Sequence, residues 1–365
     1  METFLTILRG ASESGASDIH IKPGSPIVFR MAGALAPVEA PAPSEEWLAA
    51  VLREIVPAAL QARLAEEHEV DFAYAPEGLG RFRVNVFQQR GSLVMAMRLV
   101  KAAVRDFGAL NLPPVVRKIA EAARGIVLIT GATGSGKSTT LAAMIEHINR
   151  TARKHILTLE DPIEYLFTDR QSVIEQREVG IDTASFATGL RNVLRQDPDV
   201  LVIGEMRDAA SVAAAISAAN IGHLVLSTLH TSDAAKSVQR VLEFFDAADR
   251  DQARRQLATT LHAVVCQRLV QSPTAGTIPA VEVMINNAAV TKLIHGDTLD
   301  KLPAAIELGG GEGMQTFEMA LYDLVKAGRI PQAEALAHAP NPEALKMRFQ
   351  GVVLSENRRI LGSRE

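Results

Sequence analysis

A single cysteine in 365 residues excludes an intrachain disulfide and a four-cysteine zinc site, the devices that staple small domains. Cys266 sits in the apolar run Ala263-Val264-Val265-Cys266, where a buried structural thiol is expected rather than a reactive one. Apolar runs are short: none approaches the roughly 18 to 20 residues of a membrane span. Met1-Glu2-Thr3-Phe4-Leu5 lacks the basic start and apolar centre of a signal peptide. These features predict a reducing, cytoplasmic location. Positive charge is not in excess either, since 38 Lys and Arg face 42 Asp and Glu for a net charge of -4. That disfavours a protein whose main task is gripping nucleic acid, and no run of Lys and Arg marks a DNA-translocating motor. With 17 prolines, 22% charged and 47% hydrophobic residues, the chain is neither collagen-like nor largely disordered. Its length predicts two domains of about 150 residues or more.

The first hundred residues alternate short strands and helices. Ser44 is placed to cap a helix through Trp47, Leu48, Val51, Leu52 and Ile55, with Glu45 and Glu46 in its first turn, and Pro57 breaks or restarts it. Residues 81–87 and 93–99 alternate with period two around Gln89-Arg90-Gly91-Ser92, a hairpin signal. A turn on Arg90-Gly91 sets Phe82 against Leu99, Val84 against Met97 and Val86 against Met95. The other face then opposes Arg83 and Arg98, beside Arg81. Like charges directly opposed destabilise a strand pair by up to about 1 kcal/mol, so this register calls for a compensating anion. Either the arginines splay into solvent, or they form an anion site offered to something outside the domain.

Residues 101–114 lose periodicity and end in Leu112-Pro113-Pro114, which predicts a linker. Beyond it, Ile126 to Thr130, His155 to Leu159, Val200 to Ile203 and Leu224 to Thr228 read as continuous buried strands. Helical spacing at Leu141, Met144, Ile145 and Ile148, and again at Phe186, Leu190, Val193 and Leu194, falls between them. The alternation predicts an α/β domain with a parallel sheet covered on both faces. Ala209 to Ala219 reads as packed helix, Gly309 to Gly313 as a flexible connector, and Thr316 as the cap of a later amphipathic helix.

Gly131-Ala132-Thr133-Gly134-Ser135-Gly136-Lys137-Ser138 matches the phosphate-binding loop at each required position and stands between a strand and a helix. Glycines let backbone N–H groups converge on phosphates, and the helix N-terminus adds partial positive charge. Lys137 then reaches the outer phosphates of ATP and Ser138 coordinates Mg2+, with Thr139 beside it in the nucleotide-binding set. Pro198 to Gly204 is a strand that ends in Glu205, the expected base for the attacking water. Glu160 and Asp161 follow another strand at a turn fixed by Pro162, and carboxylates so crowded call for magnesium or water; Glu164 joins them as a weaker candidate. His223 and His230 bracket an apolar run, and His230 at its carboxyl end would face the γ-phosphate.

In these motifs the chain resembles the hexameric type II/IV secretion and pilus ATPases, and within them the pilus-retraction branch. The similarity runs from Ser17-Asp18-Ile19-His20-Ile21 to Asn341-Pro342. It covers the phosphate loop, an acidic box at Thr158 to Glu164, the strand ending Gly204-Glu205-Met206-Arg207-Asp208, and a histidine box at Gly222 to Thr231. The resemblance implies a PAS-like α+β domain over residues 1–100, a RecA-like P-loop domain from 115 on with C-terminal helices from about 310, and a ring of six copies. It implies ATP between subunits, touched by arginines of a neighbour's first domain, and an inner-membrane platform protein as partner, with pilin handled indirectly. The protein would then sit at the pilus base on the cytoplasmic side of the membrane. The one cysteine and the short leader point away from the secretion and extension branches, and Gly313-Met314-Gln315-Thr316-Phe317 looks like the retraction branch. Ala289-Val290-Thr291-Lys292-Leu293-Ile294-His295-Gly296 keeps that branch's apolar positions but lacks its arginines and acid. Pilus assembly, secretion, and a non-hydrolysing nucleotide-gated scaffold are the rival readings.

Overall fold

The computed structural model describes residues 1–100 and 103–351. Lys101 and Ala102 of the expected linker, and the chain from 352 on, lie outside the described residues. Contacts divide the protein into two units: residues 1–103 with 164–166, and the remainder from Val104.

The first unit is an antiparallel sheet of β1 (Asp18–Ile21), β2 (Val28–Met31), β3 (Ala34–Pro37), β4 (Glu69–Tyr74), β5 (Phe82–Gln89) and β6 (Ser92–Leu99), in the order β3-β2-β1-β6-β5-β4. Helices α1 (Glu2–Ser14), α2 (Glu45–Ile55) and α3 (Ala58–Glu67) accompany it. Phe4 and Leu8 of α1 and Leu48, Val51 and Leu52 of α2 share one apolar core with Phe82, Val84, Val86, Met95 and Met97 of the sheet. Ser44 Oγ accepts the Trp47 N–H and so caps α2. The β5–β6 register is the one the alternation predicts: Phe82 opposes Leu99, Val84 Met97, and Arg83 Arg98. Arg90 at φ 51 and Gly91 at φ 84 form a two-residue turn whose twist suits adjoining strands.

The like-charged pair belongs to a longer row. Asp18 lies opposite Arg30 on one side and Arg98 on the other, so the sheet reads Arg30, Asp18, Arg98, Arg83 across four strands. Arg98 Nε donates to Asp18 Oδ1 at 2.7 Å, and Arg30 Nε stands 3.7 Å from Oδ2. Burial raises the Asp18 pKa, but hydrogen bonds from Ser17 and Arg98 outweigh it and hold the carboxyl below its ordinary value. Arg98 thus finds its anion inside the unit. The exposed Arg83 guanidinium has no hydrogen bond or ion pair among the described residues.

The second unit is built on β7 (Gly125–Thr130), β8 (His155–Glu160), β9 (Val173–Glu178), β10 (Val200–Ile203), β11 (Leu224–Leu229), β12 (Leu261–Ser272) and β13 (Gly276–Ile285), in the order β13-β12-β7-β11-β10-β8-β9. All neighbours run parallel except β12 and β13. The four expected buried runs are β7, β8, β10 and β11, at the middle of the sheet. Helices α4 (Pro114–Ala120), α5 (Lys137–Thr151), α6 (Phe186–Val193), α7 (Ala209–Asn220), α8 (Ala234–Glu243) and α9 (Ala247–Thr260) alternate with the strands. Then come α10 (Ala288–His295), α11 (Leu302–Leu308), α12 (Phe317–Lys326), α13 (Gln332–His338) and α14 (Pro342–Phe349). Both sheet faces are covered. Leu128, Leu157, Leu201 and Val225 point into one core with α7, α8 and α9, while Val127, Ile129, Val202 and Leu226 join α4 and α5 in another. Phe107 and Leu112, from the expected linker, are buried in that second core.

The fold is therefore α/β, an α+β unit followed by a P-loop unit with C-terminal helices. One local expectation is corrected. Gly309–Glu312 is a 3-10 turn, not a loose connector. A Cβ on Gly309 would stand 2.0 Å from Met314 Cε, so packing fixes the run that composition alone leaves free.

Candidate functional site

Parallel strands deliver their carboxyl ends to one edge of the sheet, where ligands bind in such folds. Gly131 to Gly136 fills the gap between β7 and α5. Gly131 adopts φ 148, and a Cβ there would meet Ser135 Oγ at 2.4 Å and the Gln267 carbonyl at 2.5 Å, so the loop admits only glycine. Gly134 at φ 79 and Gly136 at φ 91 complete the curl. Lys137, the first residue of α5, is buried and donates from Nζ to the carbonyls of Gly131 at 2.9 Å and Ala132 at 3.0 Å. Ser138 and Thr139 follow, half-buried, in the first turn of the helix. Ser135 Oγ is buried with no hydrogen bond. A buried hydroxyl with no partner, inside a glycine curl at a helix N-terminus, suits an anionic ligand such as phosphate. A cavity of about 690 Å3 opens over the loop, bounded by Ala132, Thr133, His230, Arg268, Leu269 and His338 among others.

His230 follows β11 and bridges the loop to the acids. Its Nδ1 lies 3.5 Å from Lys137 Nζ and its Nε2 3.3 Å from Glu205 Oε1. Lys137 has only protons to offer, so the consistent tautomer has Nδ1 accepting and Nε2–H donating to Glu205. Glu205, just beyond β10, also accepts from Arg207 Nε at 2.9 Å, and Arg207 Nη1 donates to Asp161 Oδ2 at 3.0 Å. The Glu205 bond, chiefly, raises the Arg207 pKa above its ordinary value. Thus Lys137, His230, Glu205, Arg207 and Asp161 form one continuous polar line. Glu160 Oε1 is held by Thr158 Oγ1 at 2.7 Å and Gln176 Nε2 at 3.2 Å.

No cluster of three or more His, Cys, Asp or Glu able to hold a metal occurs among the described residues. Magnesium at phosphate sites uses one or two protein oxygens, phosphate oxygens and water, and the Ser138 hydroxyl and the Glu160 carboxylate are oxygen donors of that class. Asp161 would first have to release Arg207.

The remaining predicted residues divide. His223 precedes β11, and it stands seven residues before His230, about 23 Å at 3.3 Å per residue. It therefore lies at the far end of the strand and does not join this cluster. Glu164 is exposed and falls in the segment 164–166 that groups with the first unit. Arg81 and Arg83 belong to β5 and its approach, and Arg98 is engaged by Asp18. Sequence reasoning gave no role to Arg207, although it stands two residues past Glu205, or to Arg268 and His338, which no local motif marks.

The model of the family described as "Type II/IV secretion system protein" matches residues 2–295. The chain belongs to that family. It is 38% identical over 92% of its length to the type IV pilus retractation ATPase PilT of Pseudomonas aeruginosa, covering 98% of that protein. To the type IV pilus ATPase PilU of the same organism it is 38% identical over 94% of its length and 90% of PilU. The solved structure of the pilus retraction motor PilT with bound ADP superposes with a TM-score of 0.87 at 39% identity, covering 94% of this chain and 98% of that one.

Proposed function

We propose that the protein is a magnesium-dependent motor of six copies that couples ATP hydrolysis to type IV pilus retraction. In enzyme class it is an ATP hydrolase of the P-loop type. The observation that carries this reading is the line Lys137–His230–Glu205, whose central His230 borders the cavity over the phosphate loop; it supports roles as phosphate cation, γ-phosphate sensor and base.

Lys137 is held by two loop carbonyls until phosphate oxygens replace them; the ammonium then balances charge as the terminal phosphoryl leaves. Glu205 accepts the proton of the water that attacks. His230 donates to Glu205 and keeps its carboxylate turned toward the loop, while Arg207 restrains the other oxygen. Magnesium, when carried in with ATP between Ser138 and Glu160, would neutralise charge on the outer phosphates. The exposed, unpartnered Arg83 suits an arginine finger donated to a neighbouring copy, with Arg81 and Arg98 flanking it. Loss of the γ-phosphate would release these contacts and let one unit move against the other.

No helix among the described residues is long and apolar enough to cross a membrane, so force would pass through contact with an inner-membrane platform protein at the pilus base, on the cytoplasmic side, and reach pilin indirectly. Retraction is favoured by near full-length similarity to PilT. Phosphate release with Mg-ATP, lost in Glu205→Ala, tests the chemistry. Deletion that leaves immobile, heavily piliated cells supports retraction; bald cells would assign assembly instead.

A further inference from the structure

The site described leaves one buried acid unused. Glu282, on β13 and directly opposite Cys266 of β12, is 7% exposed. Its carboxylate accepts the backbone N–H of Ala234 at 2.8 Å and faces the backbone N–H of Phe317. These two residues are not ordinary partners. Ala234 is the first residue of α8, four positions after His230, and Phe317 is the first residue of α12. One carboxylate therefore caps α8 and stands beside the first residue of α12, and orphan N–H groups and the helix dipole at such positions favour negative charge.

A second strut runs beside it. Arg268 donates to the Ser232 carbonyl at 3.3 Å and to the His338 carbonyl at 2.6 Å, and its guanidinium lies 4.2 Å from the centre of the Phe317 ring. The Val283 N–H bonds the Gln315 carbonyl at 2.8 Å, which keeps the α12 approach against β13. The groups facing Glu282 are Asp233 from the α8 cap, Glu318 from α12 and Cys266 from β12. Burial, foremost, pushes its carboxyl up to about 7, with the two N–H groups opposing.

We propose that Glu282 is a positioning residue: it ties the loop carrying His230 to the C-terminal helices, so that occupancy of the phosphate site is transmitted to α12. The inference rests on the ATPase reading and extends it. Coupling needs an element that both ends bias, and the short segment 231–233 lies between the phosphate-facing His230 and the Glu282 anchor at Ala234.

The test uses the full chain. Glu282→Gln puts an amide N–H against one of the two N–H donors, so kcat for ATP should fall about tenfold or more while the Kd for ADP changes less than about threefold. A folded Glu282→Gln protein with wild-type kcat, or with Kd and kcat lost together, overturns the proposal. Hydrogen exchange of the wild-type protein with and without a non-hydrolysable ATP analogue and Mg2+ remains decisive if the variant does not fold. Protection is expected at 131–138, 230–234 and 316–320. Protection at 131–138 with no change at 316–320 refutes this inference alone; no protection at 131–138 defeats the ATPase reading and this inference with it.

Discussion

Substituting alanine at two glycines of the phosphate loop separates steric necessity from mere conformational preference. At Gly131 the backbone sits at φ 148, and an added Cβ would lie 2.4 Å from Ser135 Oγ and 2.5 Å from the Gln267 carbonyl. The conformation costs about 1–3 kcal/mol for a residue with a side chain. Forced repacking of a strand carbonyl adds about 1–3 kcal/mol. Gly134 at φ 79 has open space around its missing Cβ, so only the left-handed backbone cost of about 1 kcal/mol applies. Gly131→Ala should therefore lose roughly 3–4 kcal/mol and Gly134→Ala about 1 kcal/mol. For a unit of this size, 1 kcal/mol moves the midpoint by about 2–4 °C, giving a drop of about 10 °C for Gly131→Ala. Calorimetry or far-UV circular dichroism is the suitable assay, because the single tryptophan, Trp47, lies in the first unit. ADP affinity should fall with it, since Ser135 and the Lys137 acceptor carbonyls must shift. Equal melting of Gly131→Ala and wild type, or equal losses at the two sites, would refute the steric argument.

The arginines of the first unit should behave oppositely. Arg98→Ala removes the closest partner of Asp18; as Arg98 is 66% exposed and Asp18 11%, screening limits the loss to about 1 kcal/mol by denaturant melts. Arg83→Ala should change stability by less than about 0.5 kcal/mol yet reduce ATP turnover about 10³-fold. Because the Asp18 carboxyl is held below its ordinary 3.8, its contribution is present above pH 4 and disappears as pH falls through the depressed value, a slope that Asp18→Asn should abolish in acid melts. Glu282 has the reverse sign: with its pKa raised from 4.5 to about 7, the folded state takes up a proton, and stability falls as pH rises through that window. The span is at most about 3 kcal/mol, and Glu282→Gln should flatten it. Glu205→Gln should retain ADP binding in calorimetry while hydrolysis drops by about 10²–10⁴.

What the sequence discloses is what its local periodicity encodes. The runs of β7, β10 and β11 and the β5–β6 register follow from spacing within a few residues of chain. The phosphate loop is legible because its glycines, lysine and serine must be contiguous. Asp18 as the partner of Arg98 is not, since the two are 80 positions apart and meet only through the β1–β6 pairing. Glu205 could be placed from its strand, whereas the bond from Arg207 to Asp161 requires knowing that β8 and β10 are neighbours. β9 escaped notice because Glu175, Gln176 and Arg177 give an edge strand a polar texture. Gly309 to Glu312 read as flexible because composition carries no record of Met314 packing on Gly309. The pattern of two histidines around one apolar run carries no record of the strand length that separates His223 from His230.

Whether each site is assembled from two copies is measured most directly by mixing inactive variants. On the proposed mechanism, Glu205→Gln lacks the base and Arg83→Ala lacks the finger. Combined in equal amounts and allowed to reassort, about a quarter of head-to-tail interfaces would unite an intact base with an intact arginine. Phosphate release should then appear in the mixture at a substantial fraction of wild type, though neither variant releases it alone. A mixture as inactive as its components, with mixed assemblies verified, would contradict the shared site.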